Sequence, residues 1–150
     1  MAVNRETQLT LKVPSDFNPN MRAELAEKVI EFIRDRSRKG LNVSGNDWPG
    51  KAGEYTEAYA RRKGVSEGGP VDLSLSHDML DGIRYFTSKS PTGAITIGYQ
   101  KGTLLERQAD GNIRGTYGQP EPIRGKARPF LDILRRDLQG LIDEVREDNE

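Results

Sequence analysis

The chain has 150 residues, of which 34% are hydrophobic and 31% charged, and this length suffices for one domain with its own core. Lys and Arg number 23, as do Asp and Glu, so the formal net charge of zero argues against a general nucleic-acid coat. The lack of cysteine excludes disulfide scaffolds and thiolate metal sites. No apolar run approaches the ~20 residues of a membrane span, and the first residues lack the apolar core of a signal peptide. We expect a soluble protein with a single domain over 1–150.

The first third of the chain predicts a strand followed by a long helix. Apolar and polar residues alternate over 7–13, which indicates a strand with one buried face. Asn18-Pro19 suits the cap and the first position of a helix, and Gly40 is typical of a helix end. We predict a helix of about 20 residues between them, with Glu24 and Lys28 paired across one turn.

The middle of the chain predicts short elements. We expect a short helix over 54–63, a brief strand over 71–75 and a single helical turn through Met79 and Leu80. Two further strands, 83–87 and 94–99, flank a segment with the Pro and Gly that are typical of a hairpin connection.

The last third predicts a short helix, a long arm and a final helix. Thr103 and Glu106 match a capping box that opens a short helix through Gln108. A loop or arm follows over 109–128, and an amphipathic helix over 129–147. Its apolar stripe consists of Leu131, Leu134, Leu138, Leu141, Ile142 and Val145. The sum is an α+β fold in which two main helices and short helical turns pack on a small antiparallel sheet of three to four strands.

Two motifs resemble a nucleotide-binding or catalytic site, but neither has all the residues that such a site needs. The segment 45–52 fits most of a phosphate-binding loop, but Ala52 lacks the hydroxyl that binds Mg²⁺ and Pro49 removes a backbone N–H. His77 has Asp78 and Asp81 nearby, yet a zinc site needs three or four ligands and a catalytic triad needs a geometry that sequence neighbours seldom reach. We predict no catalytic residues, no cofactor and no metal site.

Charge is distributed unevenly along the neutral chain. Basic clusters occupy 34–39 and Arg61, Arg62 and Lys63, where a helix C-terminus favours cations and where contact with DNA is an alternative interpretation. Four basic residues and one acid lie in 114–128, and five acids and one base in 143–150. These two segments are either ordinary solvated ends or surfaces that pair between copies.

The segment before the final helix is the most distinctive part of the chain. Arg128 and Pro129 precede Phe130 and Leu131, two apolar anchors available to the core or to a partner. The arm before them is rich in Gly and Pro, and a loop of about 20 residues is too long for a simple connector. It is either mobile or ordered by a neighbouring subunit.

Four pieces of the sequence, in this order, resemble the tail-completion or neck proteins of tailed bacteriophages, also called the virion-morphogenesis group. They are YTEAYARRKG at 55–64, VDLSLSHDML at 71–80, AITIG at 94–98 and ARPFL at 127–131 with the helix after it. Together they span over half of the chain. The sequence departs from the family pattern at His77, where a small residue is usual, and at 103–106, where many relatives have a His-rich short helix.

The resemblance implies a structural virion protein and not an enzyme. Such a protein is made in the host cytoplasm and forms a ring, hexamer or dodecamer, that joins head or connector to tail, with DNA passing through its lumen. Its partners are further copies of the chain and neighbouring connector and tail proteins. It also makes non-specific contact with packaged DNA and has no membrane partner. The alternative is a DNA-associated accessory protein that uses the basic clusters. For the ring, the residues expected to face the DNA are Arg61, Arg62 and Lys63. The residues expected at the subunit interface are Arg114, Tyr117, Arg124, Arg128, Pro129, Phe130 and Leu131.

Overall fold

A computed structural model describes residues 4–48, 78–89, 91–116 and 127–150. These residues form an α+β fold, as predicted, with a small antiparallel sheet and helices packed on it. The elements, in chain order, are β1 (Gln8–Lys12), α1 (Pro19–Arg38), α2 (Asp78–Asp81), β2 (Arg84–Tyr85), a 3₁₀ turn (Thr87–Lys89), β3 (Ala94–Gly98), α3 (Leu104–Arg114) and α4 (Arg135–Asp148). The predicted helix over 54–63 and strand over 71–75 lie outside the described residues.

The sheet has the order β1-β3-β2, with both neighbours antiparallel to β3. The register pairs Leu9 with Ile97 and places these two buried side chains on the face towards the core. On the opposite face the Oγ1 atoms of Thr10 and Thr96 lie 2.9 Å apart. Within the described residues, the strands predicted over 7–13 and 94–99 are confirmed as Gln8–Lys12 and Ala94–Gly98. The one predicted over 83–87 keeps only Arg84–Tyr85, because a 3₁₀ turn begins two residues later.

Gly98 ends β3 where its backbone lies close to that of Thr7 and Gln8. Its φ of +140° lies where side chains are rarely found, and a Cβ at this position would lie 2.3 Å from the carbonyl oxygen of Thr7. The N–H of Tyr99 donates to the same carbonyl at 2.9 Å. Only glycine allows the two strands to remain paired up to this point.

Helix α1 has the predicted boundaries because its end signals are local. The Oδ1 of Asn18 accepts from the N–H of Met21 at 2.8 Å, and Gly40 leaves the helix with a φ of 77°. The predicted pair of Glu24 with Lys28 does not form. Lys28 lies 3.4 Å from Glu144 instead, so it links α1 to α4.

Helix α3 is longer than predicted, and the arm therefore does not begin at residue 109. Thr103 caps the helix as expected by accepting from the N–H of Glu106. The helix then continues because Ala109 and Ile113, one turn apart, are both fully buried. Gly115, with a φ of 76°, ends it.

Helix α4 begins at Arg135 and not at Pro129. The carbonyls of Phe130 and Asp132 accept from side chains elsewhere in the fold, so they do not enter a helical hydrogen-bond ladder. From Leu138 onwards the apolar stripe is as predicted, with Ile142 and Val145 buried and Leu138 and Leu141 partly buried against the core.

Helix α4 packs against α1 and is held there by charges at its edge. The two terminal nitrogens of Arg146, Nη1 and Nη2, donate to the carboxylate of Asp16, the closer at 2.9 Å, and the same guanidinium lies over the ring of Phe17. The hydrogen bond from Arg146 lowers the pKa of Asp16 below its ordinary value of 3.8. In the described part of the chain, no helix is long and apolar enough to cross a membrane.

Candidate assembly surface and its anchoring segment

The predicted interface residues 128–131 lie in an extended segment, 127–134, that we call the strip. It packs into the core of its own subunit. Phe130 and Leu131 are 0% exposed and Arg128 is 5% exposed, whereas Pro129 is half-buried. The ring of Phe130 meets the ring of Tyr99 edge to face, with 6.4 Å between their centroids. The side chains of Phe130 and Leu131 have no surface to offer a neighbouring subunit, so we reassign both residues from the interface to the core.

The backbone of this strip is held by Arg36, a buried cation on α1. Its Nη2 donates to the carbonyl oxygens of Phe130 at 2.7 Å and of Asp132 at 2.9 Å. Its guanidinium carbon lies 5.7 Å from the centroid of the Phe32 ring. Burial lowers the pKa of Arg36 to about 10, against the opposing charges of Asp132 and Asp137. The side chain therefore stays charged at neutral pH.

The chain before β1 holds the other edge of the same strip. The N–H of Asn4 donates to the carboxylate of Asp132 at 3.0 Å, and its Nδ2 donates to the carbonyl of Leu131 at 2.8 Å. Arg36 and Asn4 thus fix three consecutive residues from two distant parts of the sequence.

The same strip closes the base of the predicted arm. The N–H of Arg128 donates to the carbonyl oxygen of Asn112 in α3 at 2.6 Å, and Arg128 Nη1 lies 3.4 Å from the Oδ1 of the same asparagine. Asn112 and Arg128, one before and one after the predicted arm, are therefore in direct contact.

The remaining interface predictions have different outcomes. Arg114 lies at the end of α3 with half of its side chain exposed, where it pairs with Asp110 at 2.7 Å. It also lies 3.9 Å from the carboxylate of Glu6. Tyr117 and Arg124 lie outside the described residues.

The basic cluster over 34–39 is committed to contacts within the subunit. Arg34 donates to the carbonyls of Leu80, Asp81 and Ile83 and so caps the C-terminal end of α2. Arg38 pairs with Asp81 at 2.8 Å, and Lys39 pairs with the carboxylate one turn earlier on α1. The second predicted cluster, Arg61, Arg62 and Lys63, lies outside the described residues.

Most of the phosphate-loop-like motif, residues 49–52, and His77 lie outside the described residues. The described beginning of that motif belongs to a tight turn in which the Oδ1 of Asn42 accepts from the N–H groups of Ser44 and Asn46. This turn differs from the buried strand that a phosphate-binding loop needs. Within 4–48, 78–89, 91–116 and 127–150, no group of three His, Asp or Glu side chains is placed to hold a metal ion.

The sequence did not predict that Arg36, Asn112 and Asn4 hold this strip, and Arg36 was assigned only to the basic cluster over 34–39. Arg36 carries a usable signal, because it follows Val29 and Ile33 at helical spacing and so lies on the apolar face of α1. A cation on an apolar face indicates a buried partner. No such periodicity marks Asn112 or Asn4, whose partners are 16 and 127 or more residues away.

Comparisons with known proteins return no matching family model, no matching curated protein and no matching solved structure.

Proposed function

We propose that this chain is a structural protein of a tailed-bacteriophage particle, and that copies of it form a ring at the junction of head and tail, with DNA passing through the lumen. The proposal rests on the order of four motifs in the sequence. Two of them, AITIG and ARPFL, lie wholly within the described fold. AITIG is the central strand β3, and ARPFL is the buried strip beside it.

The structural observation that supports the proposal is the anchored chain on either side of the predicted arm. Arg128 is hydrogen-bonded to Asn112, and the residues that follow Arg128 are buried and hydrogen-bonded to Arg36 and Asn4. In the proposed ring, Arg114, Tyr117 and Arg124 contact the next subunit, and Phe130 and Leu131 hold the base of the arm.

The alternative is a DNA-associated accessory protein that uses the basic clusters. In the cluster over 34–39, Arg34, Arg36 and Arg38 have partners within the subunit. It would depend on Arg61, Arg62 and Lys63. Steep salt dependence of DNA binding by an isolated monomer would favour it over the ring.

Deleting the coding sequence from the genome that carries it tests the proposed function. We expect DNA-filled heads and separate tails that do not join, with joining restored by supplying the purified protein. Labelled protein added to the restored particles should be seen at the head–tail junction in a fixed number of copies, six or twelve. Complete infectious particles made without the protein would refute the proposal.

A further inference from the structure

Strand β1 is an outer strand of the sheet, and among the described residues only its β3 side is paired. The carbonyl of Thr7 accepts from the N–H of Tyr99, and the N–H of Val13 donates to the carbonyl of Gly93, both at 2.9 Å. Alternate residues of an antiparallel strand bond to the same neighbour, so the odd-numbered residues between these two also bond to β3. The N–H and C=O groups of the even-numbered residues therefore point away from the sheet.

The outward backbone groups of Thr10 and Lys12 form a short open edge. Within the part of the chain that the structure describes, neither their N–H groups nor their carbonyls have a hydrogen-bond partner. At one end of β1 the next outward carbonyl, that of Gln8, accepts from the Nδ2 of Asn4 at 3.3 Å. At the other end the next outward N–H is missing, because Pro14 has none. The open edge thus offers two donors and two acceptors, about 7 Å apart along the strand.

The side chains on the two faces of this edge differ in character. Thr10 and Lys12 are exposed on the face that carries the contact of Thr10 with Thr96, and Lys12 has no ion-pair partner among the described residues. Leu11, between them on the core face, is half-buried. Because directly opposed side chains of paired strands contact each other, a further strand would meet a cation on one face and an apolar side chain on the other.

We propose that β1 is a docking edge for an extended segment of a partner protein, which adds to the sheet as a further strand antiparallel to β1. The segment places a carboxylate opposite Lys12, an apolar side chain opposite Leu11 and a polar one opposite Thr10. A second copy of β1 is a poorer match, since the strand QLTLK contains no acid that could face Lys12. The inference goes beyond the proposed function and does not rest on the ring, because the edge belongs to a single subunit.

Amide hydrogen exchange, followed by NMR, tests the edge residue by residue. In the free chain the N–H groups of Leu9 and Leu11 should be protected by their bonds to β3, whereas those of Thr10 and Lys12 should exchange rapidly. The probe is the end-capped peptide SVEVTVS, which opposes its Glu to Lys12 and its Thr to Thr10 when it pairs antiparallel, and it is titrated to about 1 mM. Binding should protect Thr10 and Lys12 and leave the protection of Leu9 and Leu11 unchanged.

A substitution on the outward side removes one of the donors without breaking the pairing with β3. T10P deletes an N–H that β3 does not use, and proline is tolerated on an edge strand. The matched control is T10V, which loses the same hydroxyl contact with Thr96 and keeps the N–H. The peptide should bind T10V like the parent and T10P at least about tenfold more weakly, which corresponds to about 1.4 kcal/mol.

A charge exchange keeps the test independent of how T10P folds. Lys12 is exposed, so K12E leaves the core unchanged. The parent should prefer SVEVTVS over SVKVTVS about two- to fivefold, because opposite charges stabilise a cross-strand pair, and K12E should reverse the preference. The control R107E makes the same change of sign at an exposed cation on α3 and should keep the preference of the parent.

The inference would be overturned if neither peptide bound, if T10P bound like T10V, or if K12E kept the preference of the parent. Protection of Thr10 and Lys12 without peptide would also overturn it, because the chain itself would then cover the edge, or a second copy if protection grew with concentration. None of these results touches the deletion experiment, so a junction defect without peptide binding leaves the proposed function intact. Conversely, peptide binding together with complete particles lacking the protein would retain the docking edge and remove the proposed function.

Discussion

Substituting Phe130 by Ala should destabilise the subunit itself. The side chain is 0% exposed and contacts Tyr99 edge to face, so truncation removes a fully buried ring and leaves a cavity between the sheet and the strip over 127–134. Buried Phe→Ala changes cost ~3–5 kcal/mol. Burial of about 150–250 Å² at roughly 25 cal/mol per Å² gives a similar figure. Because domains are stable by only ~5–15 kcal/mol, this loss is a large part of the total.

The assay is reversible unfolding by urea and by heat, followed by circular dichroism at a concentration where the protein is monomeric. A loss of ~3–5 kcal/mol corresponds to a fall in melting temperature of roughly 6–20 °C for a chain of this length. The control is L104A, because Leu104 is 61% exposed and its removal should change stability by no more than about 0.5 kcal/mol.

An F130A variant that unfolds within about 1 kcal/mol of the parent would refute the reasoning. It would mean that the ring is not packed in the core, and the residue would return to the list of contacts with a neighbouring subunit. A large loss of stability in the monomer would instead confirm that the ARPFL motif acts within one chain.

Three further substitutions test separate parts of the fold. G98A should be strongly destabilising, because the new Cβ would lie 2.3 Å from the carbonyl oxygen of Thr7, and a variant that melts like the parent would contradict the strand geometry. T103A should cost about 1 kcal/mol in urea unfolding through loss of the α3 cap, with T103S nearly neutral. D16N should lower stability at neutral pH, and because Arg146 lowers the pKa of Asp16 below 3.8, the difference from the parent should disappear as the pH falls through that lowered value. A difference that is constant with pH would contradict this assignment.

The elements with local end signals could be predicted from the sequence. Asn18-Pro19 and Gly40 fix α1, and the cap at Thr103 fixes the start of α3, because each signal acts on a backbone group within a few residues. Alternation located β1 and β3 because one face of each strand is buried.

The two helix boundaries that were predicted wrongly depend on contacts with residues far away in the sequence. Pro129 is a good first residue for a helix, yet α4 starts six residues later because Arg36, 94 and 96 residues distant, binds the carbonyls of Phe130 and Asp132. The arm was predicted to begin too early because Ala109 and Ile113 gain their burial from tertiary packing. Local propensity contains neither effect.

The burial of the ARPFL strip changes how an assembly defect has to be interpreted. Substituting Phe130 or Arg36 would abolish a ring even if neither residue touched a neighbour, because the base of the arm would lose its fixed position. Loss of assembly alone therefore does not identify a contact. A contact residue is one whose substitution weakens association while the melting temperature of the monomer stays constant or rises, and it is recovered by the complementary change in another copy. Phe130 cannot meet that criterion while its ring remains in the core.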